Sequence, residues 1–317
     1  MPNEIPVFFS IDDAYAPYLA TALCSAIKHA SPKREYRAIV LYETLSDQNI
    51  SRISALATNN FHIEFFPIRS GLESIEDRMS NRLRCDYFTL TIYFRIFIPA
   101  MFPQYDKGLY IDSDVELCEE VAELFDIYIG DNFLGACREP SVGDVKELCD
   151  YMKNAVGVEA SDYINSGVLI MNLAALREKK LDEHFLSLLR EYHFDSVAPD
   201  QDYLNAICRG KILKLGCEWN ATPNENHPPL KNPKLVHYNL FSKPWCYDGV
   251  QYEQLFWQHA EHSGYIDEIR AHKAAYSEEK KRSDRECLTL MIKRGIEIQN
   301  SDITFKKISD SGVKILL

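Results

Sequence analysis

The segment Asp112–Asp114, with carboxylates at its first and third positions, directly follows the apolar run Gly108–Ile111. On a strand, side chains two residues apart point to the same side, so both acids can face one ion just beyond the strand's end. Hard divalent cations take oxygen ligands of this kind and usually share them with a phosphate group. The pattern therefore predicts a metal site for a phosphorylated substrate. Because a second Asp-x-Asp stands at Asp200–Asp202, the motif alone is not specific.

The segment Ser10-Ile11-Asp12-Asp13 ends the first apolar run, and Tyr15 follows two residues later. A carboxylate there can accept hydrogen bonds from a base or a ribose, and the tyrosine ring can stack on a flat base. A polar strand-to-helix turn, capped by Asp12 or Asp13, explains the same residues equally well.

Arg95 is the only charged residue between Tyr87 and Tyr105. A guanidinium in so apolar a segment is costly unless a carboxylate or a phosphate meets it. A structural ion pair, or a side chain that extends to solvent, would also account for it. The composition of the segment favours a role in the site.

Two further segments suit sugar hydroxyls. Asn165 can hold a hydroxyl, and it precedes Ser166 and Gly167, where the missing Cβ lets the backbone approach a ligand. A plain turn explains that segment nearly as well. Asp200–Asp202 opens a predicted helix in which one acid serves as the N-cap. The other acid and Gln201 then lie beside the cap, where they suit hydroxyl groups better than a metal.

His237 ends a later apolar run, and Lys243 follows six residues on, just before Pro244 and Trp245. Imidazole suits a borderline cation such as Mn²⁺, and an ammonium group is a point charge for phosphate. A lone histidine is usually structural, but the Lys-Pro-Trp sequence after this one favours a site.

Short β-type runs alternate with segments of helical period along the first part of the chain. Leu19, Leu23 and Ala26 share one helical face, and Ser46 can cap a second helix. This alternation implies parallel strands with right-handed crossovers, hence an α/β architecture. Ligands bind at the carboxyl ends of such strands, where the acidic motifs fall. The predicted strands are 6–10, 36–42, 61–66, 108–111, 133–137, 167–171 and 235–238.

The 317 residues are 46% hydrophobic and carry a formal net charge of −12. This length allows one large domain or two small ones, and the negative balance argues against nucleic acid as a partner. Nine scattered cysteines without a C-x-x-C pair indicate reduced, mostly buried thiols of a cytoplasmic protein. Residues 1–6 lack the features of a secretory signal, and no apolar run approaches the roughly 18 residues of a membrane span.

The segment 271–317 differs in charge from the rest of the chain, with 10 basic and 7 acidic residues. We predict a helix that contains the basic cluster 280–282 and ends near Gly295. It is either a solvated helix packed on the main body or a weak peripheral contact with anionic lipid or an acidic partner. The second alternative would hold the protein at the inner face of a membrane. Acids that flank the basic cluster favour the solvated helix.

In this order, the segments resemble glycosyltransferase family 8, the retaining enzymes that include lipopolysaccharide α-galactosyltransferases and glycogenin. The resemblance runs from about Pro6 to about Trp257. It implies an α/β fold: a Rossmann-like nucleotide-sugar-binding (GT-A) single domain with a mostly parallel central sheet, plus a C-terminal helical extension. The implied domain limits are 1–270 for the glycosyltransferase catalytic domain and 271–317 for a mainly helical extension. The sequence does not indicate the role of this extension.

The resemblance also implies a metal-bound nucleotide-sugar donor. Its Mn²⁺, with Mg²⁺ as the alternative, would be ligated by Asp112, Asp114 and His237. Other residues would contact the nucleotide, the phosphate and the sugar of the donor. The uracil and ribose would be held by Asp12 and Tyr15, the phosphate by Lys243, and the sugar by Arg95, Asn165, Asp200 and Gln201, with Ser10, Ile11, Ser113 and Ser166 beside them.

The implied reaction is transfer of glucose or galactose from UDP-glucose or UDP-galactose to a hydroxyl of a glycan, glycolipid or glycoprotein. Gln201 is neutral and weakly nucleophilic, so it suits stabilisation of the positive anomeric carbon and front-face transfer with retention. Asp200 is the rival nucleophile for a covalent route. The residues name neither the acceptor nor the donor hexose.

Two positions depart from the family pattern. Ala14 stands where many members carry Asn, which weakens the expected ribose contact. Leu240 stands where the family often has Gly, whose backbone approaches the diphosphate. Neither departure removes an expected metal ligand.

Two other functions fit parts of the pattern. A phosphohydrolase with Asp112 as its nucleophile would need Thr or Val where Glu116 stands, and its motif usually lies near the start of the domain. A non-catalytic nucleotide-sugar or glycan-binding protein of the same fold would tolerate loss of Gln201 or of a metal ligand, yet every expected position is filled.

Overall fold

The described part of the chain, residues 4–68 and 89–317 of a computed structural model, is built on two β-sheets. Its strands are Glu4–Ile11 (β1), Glu35–Tyr42 (β2), Phe61–Pro67 (β3), Gly108–Ile111 (β4), Val115–Leu117 (β5), Leu134–Arg138 (β6), Ile164–Met171 (β7), Ile212–Lys214 (β8) and Leu235–His237 (β9). The main sheet has the order β3-β2-β1-β4-β7-β6-β8, and β5 pairs with β9 in a separate sheet. Each of the seven predicted strands is found, and β5 and β8 are additional.

Helices connect the strands and follow the β-rich region. They are Ala16–His29 (α1), Asp47–Ser54 (α2), Phe94–Met101 (α3), Val121–Asp126 (α4), Lys146–Tyr151 (α5), Leu173–Glu178 (α6), Leu181–Tyr192 (α7), Pro199–Ile207 (α8), Glu253–Ala260 (α9), Ile266–Ala275 (α10), Glu278–Gln299 (α11) and Phe305–Asp310 (α12). Ser46 caps α2 as predicted, because its Oγ accepts the Asn49 backbone N–H at 3.3 Å. The predicted apolar face of α1 is buried at Leu19 and Leu23.

Apolar side chains cover both faces of the main sheet. Phe8 and Phe9, neighbours on β1, are both buried and belong to two different apolar clusters. Successive side chains on a strand point to opposite faces, so the clusters lie on either side of the sheet. Leu19 of α1 belongs to one cluster and Phe185 of α7 to the other. The layers are therefore helix, sheet and helix, as an α/β fold requires.

One strand of the main sheet runs backwards. β1 pairs in parallel with β2 and β4, whereas β7 pairs antiparallel with β4 and β6. Consequently the first residues of β7, and not its last, lie beside the carboxyl end of β4. The Asp112 backbone N–H donates to the Gly167 oxygen at 2.7 Å. Asn165 and Gly167 thus lie in a strand, and the plain turn considered from the sequence is wrong.

The small sheet brings His237 beside the first acidic motif. β4 ends at Ile111, and the chain passes through Asp112–Asp114 directly into β5. On β9, His237 is the register partner of Val115, and the Tyr238 backbone N–H donates to the Asp114 oxygen at 2.9 Å. The acidic segment therefore lies at the junction of the two sheets.

The C-terminal part is helical, as predicted, but α11 continues past Gly295 to Gln299. A Cβ added at Gly295 would lie 3.1 Å from Leu148 Cδ2, so this glycine allows α11 to pack closely on α5 rather than ending the helix. α10 spans the predicted domain boundary after residue 270, which stays a prediction. Within the described ranges, no helix combines the length and the hydropathy that crossing a membrane requires.

Eight cysteines lie within the described residues, and no disulfide joins any two of them. Four are buried, and Cys217 is exposed. Burial raises the pKa of Cys208 to about 12, so its thiol stays protonated at neutral pH. The ninth cysteine, Cys85, and the predicted absence of a signal at residues 1–3 lie outside the described part of the chain.

Candidate functional site

Asp112, Asp114 and His237 come together at the junction of the two sheets. One ligand atom from each residue lies within 4.8 Å of the others. His237 Nε2 is 3.2 Å from Asp114 Oδ1 and 3.7 Å from Asp112 Oδ2. The His237 side chain is buried, whereas 28% of the Asp112 side-chain surface is exposed. The three predicted ligands thus form one cluster that is open on the side of Asp112.

The His237 ring is oriented as a metal ligand requires. Its Nδ1 lies 2.9 Å from Asn220 Oδ1. The Asn220 amide is itself oriented, because its Nδ2 donates to Asn165 Oδ1 at 2.9 Å. Nδ1 can therefore donate to Asn220, and Nε2 faces the two carboxylates, where a bound cation would take the place of a proton on Nε2. Two carboxylates and one imidazole are a donor set that fits a divalent ion such as Mn²⁺.

Lys243 lies against the same cluster and forms an ion pair with Asp114. Burial opposes the charge on Asp114, but Lys243 and His237 outweigh it and hold the pKa of Asp114 below its usual range. The carboxylate therefore stays ionised near neutral pH. The Lys243 ammonium also reaches the wall of the cavity described below, where it can meet an anionic ligand.

Arg95, a buried residue of α3, joins the two acidic motifs. Its Nη2 donates to Asp112 Oδ1 at 3.0 Å, and its Nε lies 3.2 Å from Asp200 Oδ2. Its Nη1 donates to the Ser166 backbone oxygen at 2.5 Å. Burial disfavours the guanidinium charge, but Asp112 and Asp200 outweigh it and raise the pKa of Arg95 above its usual value. The structural ion pair is thus confirmed, Arg95 holds both acids in place, and its role toward a ligand stays a prediction.

Gly167 is required by the cluster itself. A Cβ added there would overlap Cε1 of His237 and would lie 2.6 Å from Asp112 Oδ2. No residue with a side chain can occupy this position without displacing two predicted ligands. The space beside Gly167, which was predicted to receive a ligand, is filled by the side chains of His237 and Asp112.

The second acidic motif lies at the start of α8, and its two acids diverge. Ala198 is the N-cap residue and makes no capping bond with its side chain, so the predicted acidic N-cap is wrong. Asp202 instead reaches back to the Ala198 N–H at 3.3 Å and accepts two tyrosine hydroxyls at 2.6 Å each. Residues two apart on a helix point in nearly opposite directions. Asp200 and Gln201 therefore face the cavity, while Asp202 faces the core.

Asp200 and Gln201 are both held by Ser166. Its Oγ donates to Asp200 Oδ2 at 3.0 Å, and its backbone N–H donates to Gln201 Oε1 at 2.9 Å. Burial raises the pKa of Asp200, although Arg95 opposes the shift. Gln201 Nε2 donates to Glu139 Oε2 at 3.2 Å. The two side chains therefore keep one orientation each at the cavity wall.

Sequence reasoning missed two residues that support the cluster. Glu139, 3% exposed, accepts the Asn165 side-chain amide at 2.7 Å as well as that of Gln201. It directly follows β6, whose carboxyl end lies at the same edge of the sheet as that of β4. Because ligands bind at the carboxyl ends of such strands, its position after β6 was a usable signal. Asn220, which orients His237, ends a short 3-10 turn and carries no local signal.

A cavity of about 410 Å³ opens beside the cluster. Among the predicted site residues only His237 does not line it, because His237 lies behind the two acids. Asp12 lines the cavity and also caps a 3-10 turn by accepting the Tyr15 N–H at 3.1 Å, so the predicted cap is confirmed and the contact with a base or ribose stays a prediction. The predicted residues at its wall are Ser10, Ile11, Asp12, Tyr15, Arg95, Asp112, Ser113, Asp114, Asn165, Ser166, Asp200, Gln201 and Lys243.

The two departures from the family pattern, Ala14 and Leu240, also line this cavity. Leu240 has φ of 56°, in the left-handed region that a residue with a Cβ disfavours. Its backbone N–H donates to Asn239 Oδ1 at 2.8 Å, which helps to hold the conformation. The leucine thus keeps a backbone conformation that glycine would adopt without strain.

Comparison with known proteins identifies relatives of this chain. The family described as Glycosyl transferase family 8 matches residues 6–249. A Haemophilus influenzae protein that carries a glycosyltransferase name is 30% identical over 220 residues, which are 69% of this chain and 64% of that protein's length. The lipopolysaccharide 1,2-glucosyltransferase of Escherichia coli is 27% identical over 236 residues, which are 68% of this chain and 67% of that protein.

Two solved structures have the same fold. The galactosyltransferase LgtC, in complex with donor and acceptor sugar analogues, has a TM-score of 0.70 at 24% identity and covers 81% of this chain and 96% of its own. The bifunctional glycosyltransferase WbbM has a TM-score of 0.76 at 22% identity and covers 87% of this chain and 52% of its own. At these identities the likeness concerns the fold, which is of the predicted GT-A type.

Proposed function

The chain belongs to glycosyltransferase family 8, and on that basis we propose that it is a metal-dependent enzyme that transfers a hexose from a UDP-sugar with retention. The observation that carries this proposal is the cluster of Asp112, Asp114 and His237, in which Nε2 of the imidazole faces both carboxylates. Lys243 adds a fixed positive charge beside the cluster, at the wall of a cavity large enough for a nucleotide-sugar.

The β1 end of the cavity suits the nucleotide. Asp12 can accept hydrogen bonds from uracil or ribose, and the Tyr15 ring can stack on the base. A divalent cation held by the cluster, Mn²⁺ or alternatively Mg²⁺, would neutralise charge on the departing diphosphate. Lys243 stabilises the same charge as a preorganised ammonium group. These contacts together favour a UDP-sugar as the donor.

The other end of the cavity favours front-face transfer. Gln201 is neutral, and its amide is held by the Ser166 N–H, so its oxygen offers a fixed dipole to the positive anomeric carbon. Asp200 is ion-paired with Arg95 and hydrogen-bonded by Ser166, and burial raises its pKa. The ion pair and the hydrogen bond make the carboxylate a weaker nucleophile, whereas the raised pKa acts in the opposite direction. We therefore assign stabilisation of the transition state to Gln201 and a supporting role to Asp200.

The proposed donor is UDP-glucose or UDP-galactose, and the acceptor is a hydroxyl of a glycan, glycolipid or glycoprotein. The names of the similar proteins support both donors, since one is a lipopolysaccharide glucosyltransferase and another a galactosyltransferase. Glucose and galactose differ in the orientation of one hydroxyl, so a direct comparison of the two donors decides between them.

α11 packs on the main body, and we propose that the exposed side of the extension 271–317 also makes a weak peripheral contact with the inner face of the membrane of a cytoplasmic protein. Four of the eight exposed large apolar side chains of the described residues lie in it, and the segment is rich in Lys and Arg. Both features suit an anionic bilayer surface. Sedimentation with anionic phospholipid vesicles tests this contact, which should weaken as salt rises. The four residues are Leu288, Leu290, Ile296 and Ile303.

The proposed activity is tested by UDP release from a panel of UDP-sugars, with and without Mn²⁺. We expect slow hydrolysis of UDP-glucose or UDP-galactose with Mn²⁺ and none after chelation. UDP and Mn²⁺ together should raise the melting temperature more than either alone. No shift and no UDP release with any donor would overturn the proposal. A shift without turnover, even with acceptors present, would favour the non-catalytic binding protein.

A further inference from the structure

A second, smaller cavity of about 60 Å³ adjoins the main one. We call it the annex. The two cavities share Ala198, Gln201, Asn239 and Leu240 in their walls. The nucleotide-end residues Asp12 and Tyr15 and the acids Asp112 and Asp114 line only the main cavity. The annex therefore lies at the sugar end, next to the side chain that we assign to the anomeric carbon.

The walls of the annex are mostly apolar and come from separate segments. The C-terminal extension contributes Met291 of α11, which is 4% exposed. The other apolar walls include Val142, Leu148, Met152 and Val197. The volume corresponds to roughly four water-sized groups, which is the number of non-hydrogen atoms in an acetamido group. Apolar walls hold water poorly, so an apolar group that enters gains free energy.

Leu240 is one of the four residues that line both the annex and the main cavity, and its φ of 56° is a conformation that leucine rarely adopts. Strained residues persist where the surrounding structure holds them, and they concentrate at ligand sites. We therefore expect Leu240 to limit the size of a group that enters the annex from the main cavity.

One buried carboxylate, Glu139, also lines the annex. It accepts hydrogen bonds from the Ser141 N–H at 2.7 Å, from Asn165 Nδ2 at 2.7 Å and from Gln201 Nε2 at 3.2 Å. A carboxylate has about four acceptor positions, so one remains for a further donor. The annex thus offers apolar walls to a methyl group and an acceptor to an N–H.

We propose that the annex binds the acetamido group of an N-acetylated sugar at the reaction centre. This inference rests on the proposed function and narrows its substrate class. The methyl group packs between Val142 and Met291, the amide N–H donates to Glu139, and Leu240 limits the size of the group. The donor sugar and the acceptor sugar both meet at Gln201, so the experiment has one arm for each.

Sugar pairs that differ only in the acetamido group test this inference. In the donor arm, UDP release from UDP-N-acetylglucosamine is compared with that from UDP-glucose, and the galactose pair likewise. In the acceptor arm, a methyl N-acetylglucosaminide is compared with the methyl glucoside. In one arm the N-acetylated sugar should have a kcat/KM at least about tenfold higher. Equal values in both arms would overturn the inference.

Three variants locate the preference. Val142→Phe fills the annex and should reduce the preference to below about twofold. Val145→Phe is the matched control, because Val145 lines neither cavity, and it should retain the preference. Leu240→Gly removes the leucine side chain and its strain, so the preference should fall while the melting temperature holds or rises. A preference that survives Val142→Phe, or a less stable Leu240→Gly protein with unchanged preference, would contradict the inference.

Binding of UDP with Mn²⁺ separates failure of this inference from failure of the proposed function. Calorimetry on the wild type and on the two valine variants reports that binding independently of the annex, because neither Val142 nor Val145 lines the main cavity. If UDP binds and neither arm shows a preference, only the assignment of the annex is wrong. If UDP does not bind, the proposed function is wrong and the assignment of the annex falls with it.

Discussion

Two carboxylate–imidazole pairs lie close together in this chain and behave in opposite ways. Asp114 faces His237, with Oδ1 and Nε2 3.2 Å apart, while Glu116, two residues on, faces His259, with Oε2 and Nδ1 2.6 Å apart. Asp114 lines the main cavity and has Lys243 as a second partner. The Glu116 side chain is fully buried and lines neither cavity.

The surroundings decide the charge of each pair. Burial raises the pKa of Glu116 and lowers that of His259 to about 4, so the proton stays on Glu116 and is donated to the imidazole. Burial also opposes the charge of Asp114, but Lys243 and His237 overcome it and lower the pKa of that carboxyl. An acid–histidine pair is therefore ready for a cation only where neighbouring positive charge keeps the acid ionised.

We call Asp114–His237 the open pair, because Asp114 lines the main cavity, and Glu116–His259 the sealed pair, because Glu116 is fully buried. The largest expected effect comes from neutralising Asp114 of the open pair. Asp114→Asn removes a carboxylate ligand and the partner of Lys243, so sugar transfer should fall at least about 10³-fold. UDP release at saturating Mn²⁺ measures the loss. Glu116→Gln makes the same change in the sealed pair and should stay within about twofold of the wild type. Normal turnover by folded Asp114→Asn protein would remove the distinction between the two pairs.

The second-largest effect is expected at Gly167, which packs against His237 and Asp112. Gly167→Ala forces His237 and Asp112 apart, and a displacement of about 1 Å can reduce the rate on the order of 10²-fold. The kcat/KM for the UDP-sugar measures this change. Gly135→Ala on β6 is the control, because the atoms nearest to its added Cβ belong to the Ile170 side chain, the closest at 3.2 Å. It should lower stability and leave kcat/KM unchanged, and equal losses in the two variants would contradict the account.

A smaller effect is expected from the residue that orients His237. Asn220→Ala removes the acceptor for the Nδ1 proton, so half-saturation should need about 10–100-fold more Mn²⁺. At saturating Mn²⁺ the kcat should recover, which a change in the chemical step would not allow. Asn220→Asp keeps the acceptor and should retain most of the affinity. An unchanged Mn²⁺ titration for Asn220→Ala would show that the hydrogen bond has no such role.

The smallest effect concerns the sealed pair and appears in stability. Reference pKa values are 4.5 for Glu and 6.5 for His. Between pH 4.5 and pH 6.5, the Glu116–His259 pair holds one proton in the folded protein and one in the unfolded chain. The pair therefore leaves the free energy of unfolding independent of pH in this range. Above pH 6.5 only the folded pair keeps its proton, so the free energy of unfolding falls by up to about 1.4 kcal/mol per pH unit until the raised pKa of Glu116 is passed.

Below pH 4.5 the unfolded pair takes up a second proton before the folded pair does, so stability falls there too. Glu116→Gln can still donate to His259 but has no proton to lose, and its stability should not fall above pH 6.5 for this reason. Urea unfolding of the wild type and of Glu116→Gln between pH 5 and pH 9 measures the difference. Identical profiles would mean that Glu116 is ionised in the folded protein.

The strands and the first acidic motif could be predicted because both depend on local pattern. The two Asp-x-Asp copies show where such prediction ends. On the strand exit, both acids face one side, as expected for alternating side chains. On α8 the same spacing turns Asp202 into the core, where two tyrosine hydroxyls hold it. The helix start was predicted correctly and the acidic N-cap was not, because which acid faces the cavity depends on the helix and on its neighbours.

The remaining features depend on contacts between distant segments. The reversed direction of β7 follows from the chain's connections and not from its composition, so the sequence predicted a strand from Gly167 onward but left a plain turn open for Asn165. Asn220 orients His237 without any local motif. Leu240 was recognised as a departure from the family pattern, but its left-handed backbone and its place in the walls of two cavities appear only in the folded chain.

The most direct test is the anomalous diffraction of Mn²⁺ in crystals grown with UDP. We predict one manganese peak within coordination distance of Asp112 and Asp114 carboxylate oxygens and of His237 Nε2, with the diphosphate completing its ligands. No peak should appear between Glu116 and His259. A manganese ion bound to UDP but out of reach of His237 would contradict the account, and so would bound UDP with no metal at the acidic cluster.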